Sequence, residues 1–378
     1  MSTHRIVAGF IPLLDCAVLV AAAERGFAAQ EGVDLRLQRE TSWANIRDRL
    51  IVGQLQAAHM LGPMSVAASL GAGHLRVPMV AALALGHGGN AITVSNALHA
   101  QMRAAGAPES LDPARQGAAL AQVVQARAAR AQPPLVVATV YPFSCHTYQL
   151  RYWLAACGID AEDVQLVALP PPLLVDALRE GQIDACCVGE PWSSVAVAAD
   201  VGHIITTAAH IWQRPPEKVL GMRRDWLETH DAAALALVRA LLRAAAWCDE
   251  SANHADLARL LAEPRYVGVP AELLRADLAG ELRLHAGAAR VRVDDFIGFA
   301  RDGGLQPRPE HAAWYYGQML RWRQIRAQPD GDVAARAAFD GQLYARALAS
   351  LGAAPPLAPR EERFFDVQAG QVLHTAGA

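Results

Sequence analysis

The apolar positions of the chain fall into short runs broken by turn residues, then into longer stretches with helical spacing. Residues 5–8 read as a strand, followed by the turn-rich Gly9-Phe-Ile-Pro-Leu-Leu-Asp15. Asp15 is placed to cap a helix over 16–25, which Gly26 ends. Residues 33–37 alternate apolar and polar, the two-residue period of a strand. Ser42 can cap a helix over 43–52, Gly53 stops it, and 55–61 reads as the next strand. The rhythm returns as strand 135–139, helix 147–157, strand 164–169, a helix opened by Pro170-Pro-Pro172, and strand 183–188. Alternation of this kind predicts parallel strands with helices on the sheet faces, an α/β architecture. From residue 225 onward helical spacing dominates, over 232–249, 255–261, 270–279, 314–326 and 333–351, until Pro355, Pro356 and Pro359 break it.

One internal echo orders these pieces. Val52-Gly-Gln-Leu-Gln-Ala57 resembles Glu180-Gly-Gln-Ile-Asp-Ala185, and each copy meets a proline ten residues after its glycine, Pro63 and Pro191. Two similar units 128 residues apart predict two α/β lobes of related design. The predicted division is 1–92 for the first part of lobe 1, 93–205 for lobe 2, and 206–378 for a return to lobe 1 plus a helical C-terminal region. Crossings near 91–93 and 204–207 are expected to act as hinges.

Composition narrows the function. The chain has 378 residues, 53% hydrophobic and 19% charged, enough apolar content for a large core. Its 34 basic and 37 acidic residues nearly balance, which argues against a direct nucleic-acid binder. No apolar run approaches the roughly 20 residues of a membrane span, and no charged start followed by an apolar stretch marks a leader. A first strand so soon after Met1 predicts a cytoplasmic protein. The six cysteines form no CxxC pair and read as reduced, mostly buried thiols.

The usual catalytic signatures do not occur: there is no GxxxxGK[ST], GxSxG or HExxH. Gly86-His-Gly-Gly89 reads as a loop needing positive φ or a close backbone approach. Cys145-His146 are sequence neighbours, a poor arrangement for a nucleophile and its base. Trp43, Asn90, His146, Gly189-Glu-Pro-Trp192 and Lys218 instead share a placement, just after strands or at helix starts. In open α/β sheets, ligands bind beyond the carboxyl ends of strands, and helix N-termini there favour anions. Lys218 stands out as the single lysine beside 33 arginines. Its compact ammonium is not interchangeable with a planar guanidinium.

These residues, with Ser42-Trp-Ala-Asn-Ile-Arg-Asp48, Gly89-Asn-Ala-Ile-Thr-Val94, Arg151-Tyr-Trp-Leu154, Pro170-Pro-Pro172 and Pro216-Glu-Lys218, resemble the nitrate- and bicarbonate-binding proteins of the NrtA/CmpA type. They resemble most of all the cytoplasmic nitrate/nitrite sensors of the NasS type. The resemblance implies a two-lobed solute-binding fold, periplasmic-binding-protein-like type II, with an anion between the lobes. It implies that Trp43, His146, Gly189 and Lys218 hold nitrate or nitrite, with Asn90 where the family has a glutamine. Bicarbonate-binding relatives are expected to hold calcium through an acidic residue where this chain has Lys218, so no metal or other cofactor is expected. The implied role is a non-enzymatic sensor that releases an ANTAR-type RNA-binding antiterminator when the anion binds. The alternative role is the substrate-binding component of an ABC-type nitrate uptake system, and a thiamine-precursor-synthase type of enzyme shares the fold.

Overall fold

The computed structural model describes residues 3–72, 75–354 and 362–366. Eleven strands carry the architecture: β1 His4–Phe10, β2 Val33–Arg39, β3 Ala57–Leu61, β4 Met79–Ala84, β5 His87–Gly88, β6 Asn90–Ser95, β7 Leu135–Thr139, β8 Val164–Ala168, β9 Ala185–Gly189, β10 Gly202–Thr207 and β11 Lys218–Arg223. Ten of them form two five-stranded sheets, ordered β2-β1-β3-β11-β4 and β8-β7-β9-β6-β10, while β5 pairs with Ile297–Gly298. In each sheet the first three strands run parallel and the last two antiparallel to their neighbours. The two sheets therefore have one topology, and each receives its fourth strand from a segment that crosses over from the other.

The internal echo extends to the register. Strands β3 and β9 lie 128 residues apart, and so do the crossing strands β6 and β11. Lys218 pairs with Leu61 as Asn90 pairs with Gly189, at the same offset. Each outer strand also slips one residue at the equivalent place, opposite Leu220–Gly221 in the first sheet and opposite Ile92–Thr93 in the second.

Helices cover both faces of each sheet. Ala17–Glu24 and Asp231–Asp249 pack on one face of the first sheet, in a core that includes Ile6, Val18, Leu220, Leu237 and Leu241. Asn96–Ala104, Pro113–Ala129 and Cys145–Ala156 cover one face of the second, around Val94, Val137, Leu150 and Trp153. A third cluster is shared, running from Trp43, Met60 and Leu61 to Val188, Tyr148 and Tyr315. The segment 362–366 lies across the crossing from β10 to β11, with Phe364 stacked on Trp212 at 4.6 Å between ring centroids.

Three local expectations need correction. Asp15 caps no helix: it sits inside the 3₁₀ turn Leu14–Cys16, and its carboxylate turns toward Lys218. The crossings lie at 85–89 and 208–217, because 91–93 and 204–207 are strand residues paired with one another. The helix expected over 333–351 is two, Gly331–Ala337 and Gln342–Ser350, broken before Gly341. The prolines at 355, 356 and 359 lie outside the described residues.

The crossings are fastened side by side. His87 bridges Pro216, the Gly88 N–H donates to Pro215 O at 3.0 Å, and the Leu85 N–H donates to Lys218 O at 2.8 Å. Gly88 has φ +72°, and a Cβ there would lie 2.1 Å from Phe296 O. The glycine loop is thus a close backbone approach, as its sequence suggests. Gly88→Ala is expected to cost about 3 kcal/mol or more, combining left-handed strain with a backbone clash. Gly26→Ala, at φ +80° with nothing within 4 Å, costs only the strain, about 1–2 kcal/mol. Urea unfolding of the two variants measures the difference, and equal losses would contradict the clash.

Candidate functional site

The five residues singled out from the sequence come to the facing ends of the two sheets. Trp43 opens the helix Trp43–Ile51, where Ser42 Oγ accepts from the Asn45 N–H at 3.2 Å. His146 is in the first turn of Cys145–Ala156, which Ser144 caps by accepting from the Thr147 N–H at 3.0 Å. Gly189 ends β9, whereas Asn90 and Lys218, expected just after strands or at helix starts, themselves begin the strands β6 and β11. Because β6 and β11 run antiparallel to their neighbours, their first residues lie beside the carboxyl ends of β9 and β3. All of these side chains are buried, Lys218 at 1% exposure.

Sequence reasoning missed the groups that hold Lys218. Its Nζ lies 2.7 Å from Asp15 Oδ2 and 2.5 Å from Glu217 Oε2, with the Trp43 ring centroid 5.9 Å away. His59 Nε2 stands 2.9 Å from Asp15 Oδ1, and its ring lies 5.6 Å from that of Trp43. The other oxygen of Glu217 accepts from Asn90 Nδ2, which also donates to Gln149 Oε1 at 3.3 Å. One network therefore runs from His59 through Asp15, Lys218, Glu217 and Asn90 to Gln149, joining the first sheet to the second.

Several buried polar atoms beside this network have no protein partner: Trp43 Nε1, Asn90 Oδ1, both His146 ring nitrogens and Gln149 Nε2. Two of these residues, Asn90 and His146, converge on Gly189. A Cβ at that glycine would lie 3.3 Å from Asn90 Oδ1 and 3.7 Å from His146 Nε2, so the bare backbone leaves that space open. Buried polar groups are normally satisfied, and unpartnered N–H donors suit a ligand that offers only acceptors.

The charges are strongly perturbed. Burial would raise the Asp15 carboxyl, but Lys218 and His59 outweigh it and hold it well below the usual range. Burial disfavours the Lys218 ammonium, yet the two carboxylates more than compensate and keep it charged. Glu217 is raised, because burial outweighs the pull of Lys218. His146 is pushed well below its ordinary value by burial and then by Lys218, so it is neutral and donates from one nitrogen. Among the described residues no group of three His, Cys, Asp or Glu side chains is arranged to hold a metal ion.

The profile of the NMT1-like family matches residues 2–262. The chain belongs to that family. It is 29% identical over 374 residues to the "Nitrate/nitrite binding protein NrtA" of Synechococcus elongatus, covering 96% of this chain and 82% of that one. It is 37% identical over 323 residues to the "Nitrate import ATP-binding protein NrtC" of Synechocystis, covering 84% of this chain and 46% of that one. The chain thus spans about half the length of the ATP-binding relatives it matches. In structure it matches the periplasmic nitrate-binding protein NrtA from Synechocystis with a TM-score of 0.86 and 27% identity, over 96% of this chain and 94% of the other. The fold expected from the sequence and the likeness to NrtA/CmpA-type proteins are both borne out.

Two outcomes follow from the electrostatics. Lys218→Met leaves two buried carboxylates without a cation, a loss of about 3–5 kcal/mol at neutral pH. Their raised values in the folded variant make it bind more protons than the unfolded chain. The deficit relative to the parent therefore shrinks from pH 7 to pH 5 in urea unfolding, and an equal deficit at both contradicts the assignment. The second concerns Glu190, which follows Gly189. Burial pushes its carboxyl up to about 7, and that of Asp277 well above its ordinary value through burial and then Glu190. An acid raised on folding stabilises fully below its unfolded value and loses that stability as pH rises through its folded value. Glu190→Gln is expected to gain on the parent from about pH 4.5 to 7, reaching about 2–3 kcal/mol.

Proposed function

We propose that this protein binds nitrate or nitrite between its two sheets, through Trp43, Asn90, His146, Gly189 and Lys218, and serves as a sensor of that anion. The observation that carries the reading is the cluster of buried, unpartnered donors around a buried lysine at the facing sheet ends. A planar oxyanion presents acceptors only. The Trp43 indole and neutral His146 can donate to it, while Lys218 supplies the charge. Binding without chemistry fits Cys145, whose thiol burial holds protonated.

Closing the two sheets on an anion gives a signal only if ligand and partner prefer different arrangements. The partner proposed is an ANTAR-type RNA-binding antiterminator, gripped without ligand and released with it. Linkage then requires partner and anion to weaken one another by the same factor. Segments like this chain make up about half of proteins named as ATP-binding import components. An anion-binding module sharing a chain with an ATP-binding unit supports a regulatory use in the cytoplasm. The second reading, a substrate-binding component of anion uptake, draws on the relatives named as nitrate/nitrite binding proteins.

Calorimetry with nitrate, nitrite, bicarbonate plus calcium, and an alkanesulfonate tests the ligand. Nitrate or nitrite should bind, and Trp43→Phe or His146→Ala should each weaken binding about 10- to 150-fold, the loss of one hydrogen bond to a charged group. Unchanged affinity in both variants sinks the assignment. Co-purification with the antiterminator, present without nitrate and lost with it, tests the role. A permease complex in its place would favour uptake.

A further inference from the structure

Two of the donors assigned to the anion, Lys218 and Asn90, are already engaged by a carboxylate of the protein itself. Glu217 takes the Lys218 ammonium with one oxygen and the Asn90 amide with the other. It is 4% exposed, and Asp15 also holds the Lys218 ammonium. With both carboxylates ionised, two negative charges face one ammonium. An arriving anion would then be a third negative charge in a buried site, which is costly. We propose that Glu217 is a built-in competitor for the anion, so that each nitrate or nitrite is bound together with one proton, taken up by Glu217. This rests on the anion-site reading above and adds to it the way the site is regulated.

The surroundings of Glu217 single it out as the proton acceptor. Lys218 and Asp15 share its network, and His59 touches Asp15 from β3. Cys145 and Tyr315 approach its main chain and the neighbouring Pro216 from two helices, and Cys187 lies on β9. Asp15 is held ionised by its cation, burial lowers His59 and pushes His146 well below its ordinary value, and burial keeps the three other groups protonated. Glu217 alone among them is an acid whose carboxyl burial raises and whose partner is the charge an anion would take.

Protonation would also redirect the two amides. As the network stands, Asn90 Nδ2 points at Glu217 and Gln149, while Asn90 Oδ1 and Gln149 Nε2 have no partner. A protonated Glu217 becomes a donor. With both amides turned over, Asn90 Oδ1 accepts from Glu217 and from Gln149 Nε2. Asn90 Nδ2 then faces the space between Gly189 and His146. One proton thus releases the lysine charge and presents one more donor to the anion.

The test is nitrate calorimetry from pH 5.5 to 8.5 in buffers of different ionisation heat, on the full chain and on Glu217→Gln and Glu190→Gln. The parent should take up one proton per nitrate above the free-protein pKa of Glu217, losing affinity about tenfold per pH unit there. Glu217→Gln should bind with an affinity that changes less than about twofold over that range and with no proton uptake, and Glu190→Gln should keep the parent slope. Binding by the parent without proton uptake at any pH overturns the inference and leaves the anion site standing. So does a slope that survives in Glu217→Gln or vanishes in Glu190→Gln. No binding of nitrate or nitrite at any pH overturns both.

Discussion

A single buried ammonium organises this molecule. Lys218 begins a strand of the first sheet, is clamped by Asp15 from the link after β1, and is joined through Glu217 to Asn90 at the start of a strand in the second sheet. Ion pairs on a protein surface contribute little, but a buried pair whose partner is removed leaves an uncompensated charge behind. The network therefore specifies an arrangement more than it adds stability. Its carboxylates need the lysine, the lysine needs both of them, and the amides of Asn90 and Gln149 are oriented by what Glu217 accepts.

The symmetry of the two sheets explains how such a network can form. Asn90 and Lys218 occupy equivalent places, each the first residue of the strand that enters from the other sheet. One position carries an amide and the other a charge, so a symmetric scaffold presents an asymmetric pair to the space between them. Gly189 and Leu61 are the equivalent strand partners. The absence of a side chain at Gly189 leaves room beside His146 on one side only. The fold supplies two matching edges, and a few side chains make one of them polar.

What could be read from the sequence followed distance along the chain. Strands β1, β2, β3, β7, β8 and β9 announce themselves through local apolar patterns, and the cap Ser42 lies three residues from the group it satisfies. The crossing strands were hidden, because β6 and β11 owe their place to antiparallel partners far away in sequence. Asp15 was misjudged for the same reason. A carboxylate before a helix is locally a cap, yet its partner Lys218 is 203 residues away. Glu217 stood beside the lysine in Pro216-Glu-Lys218 without declaring which way its carboxylate turns. Gln149 was the more legible omission, three residues after His146 and so on the same helix face.

The crossings and the candidate site share residues. Lys218 offers its ammonium to the network and its carbonyl to the Leu85 N–H of the other crossing, at 2.8 Å. The Glu217 carbonyl accepts from the Gly62 N–H at 3.3 Å, where the helix after β3 begins. Lys218 is thus fixed by its main chain to the other crossing, and Glu217, itself in a crossing, to the start of the helix after β3. A change in what their side chains hold has a short path to the relative setting of the two sheets, through two peptide units rather than a chain of packed neighbours. Packed cores resist gradual deformation and favour discrete arrangements. The crossings, held to each other by a handful of backbone hydrogen bonds, are the place where a small electrostatic change can select between them.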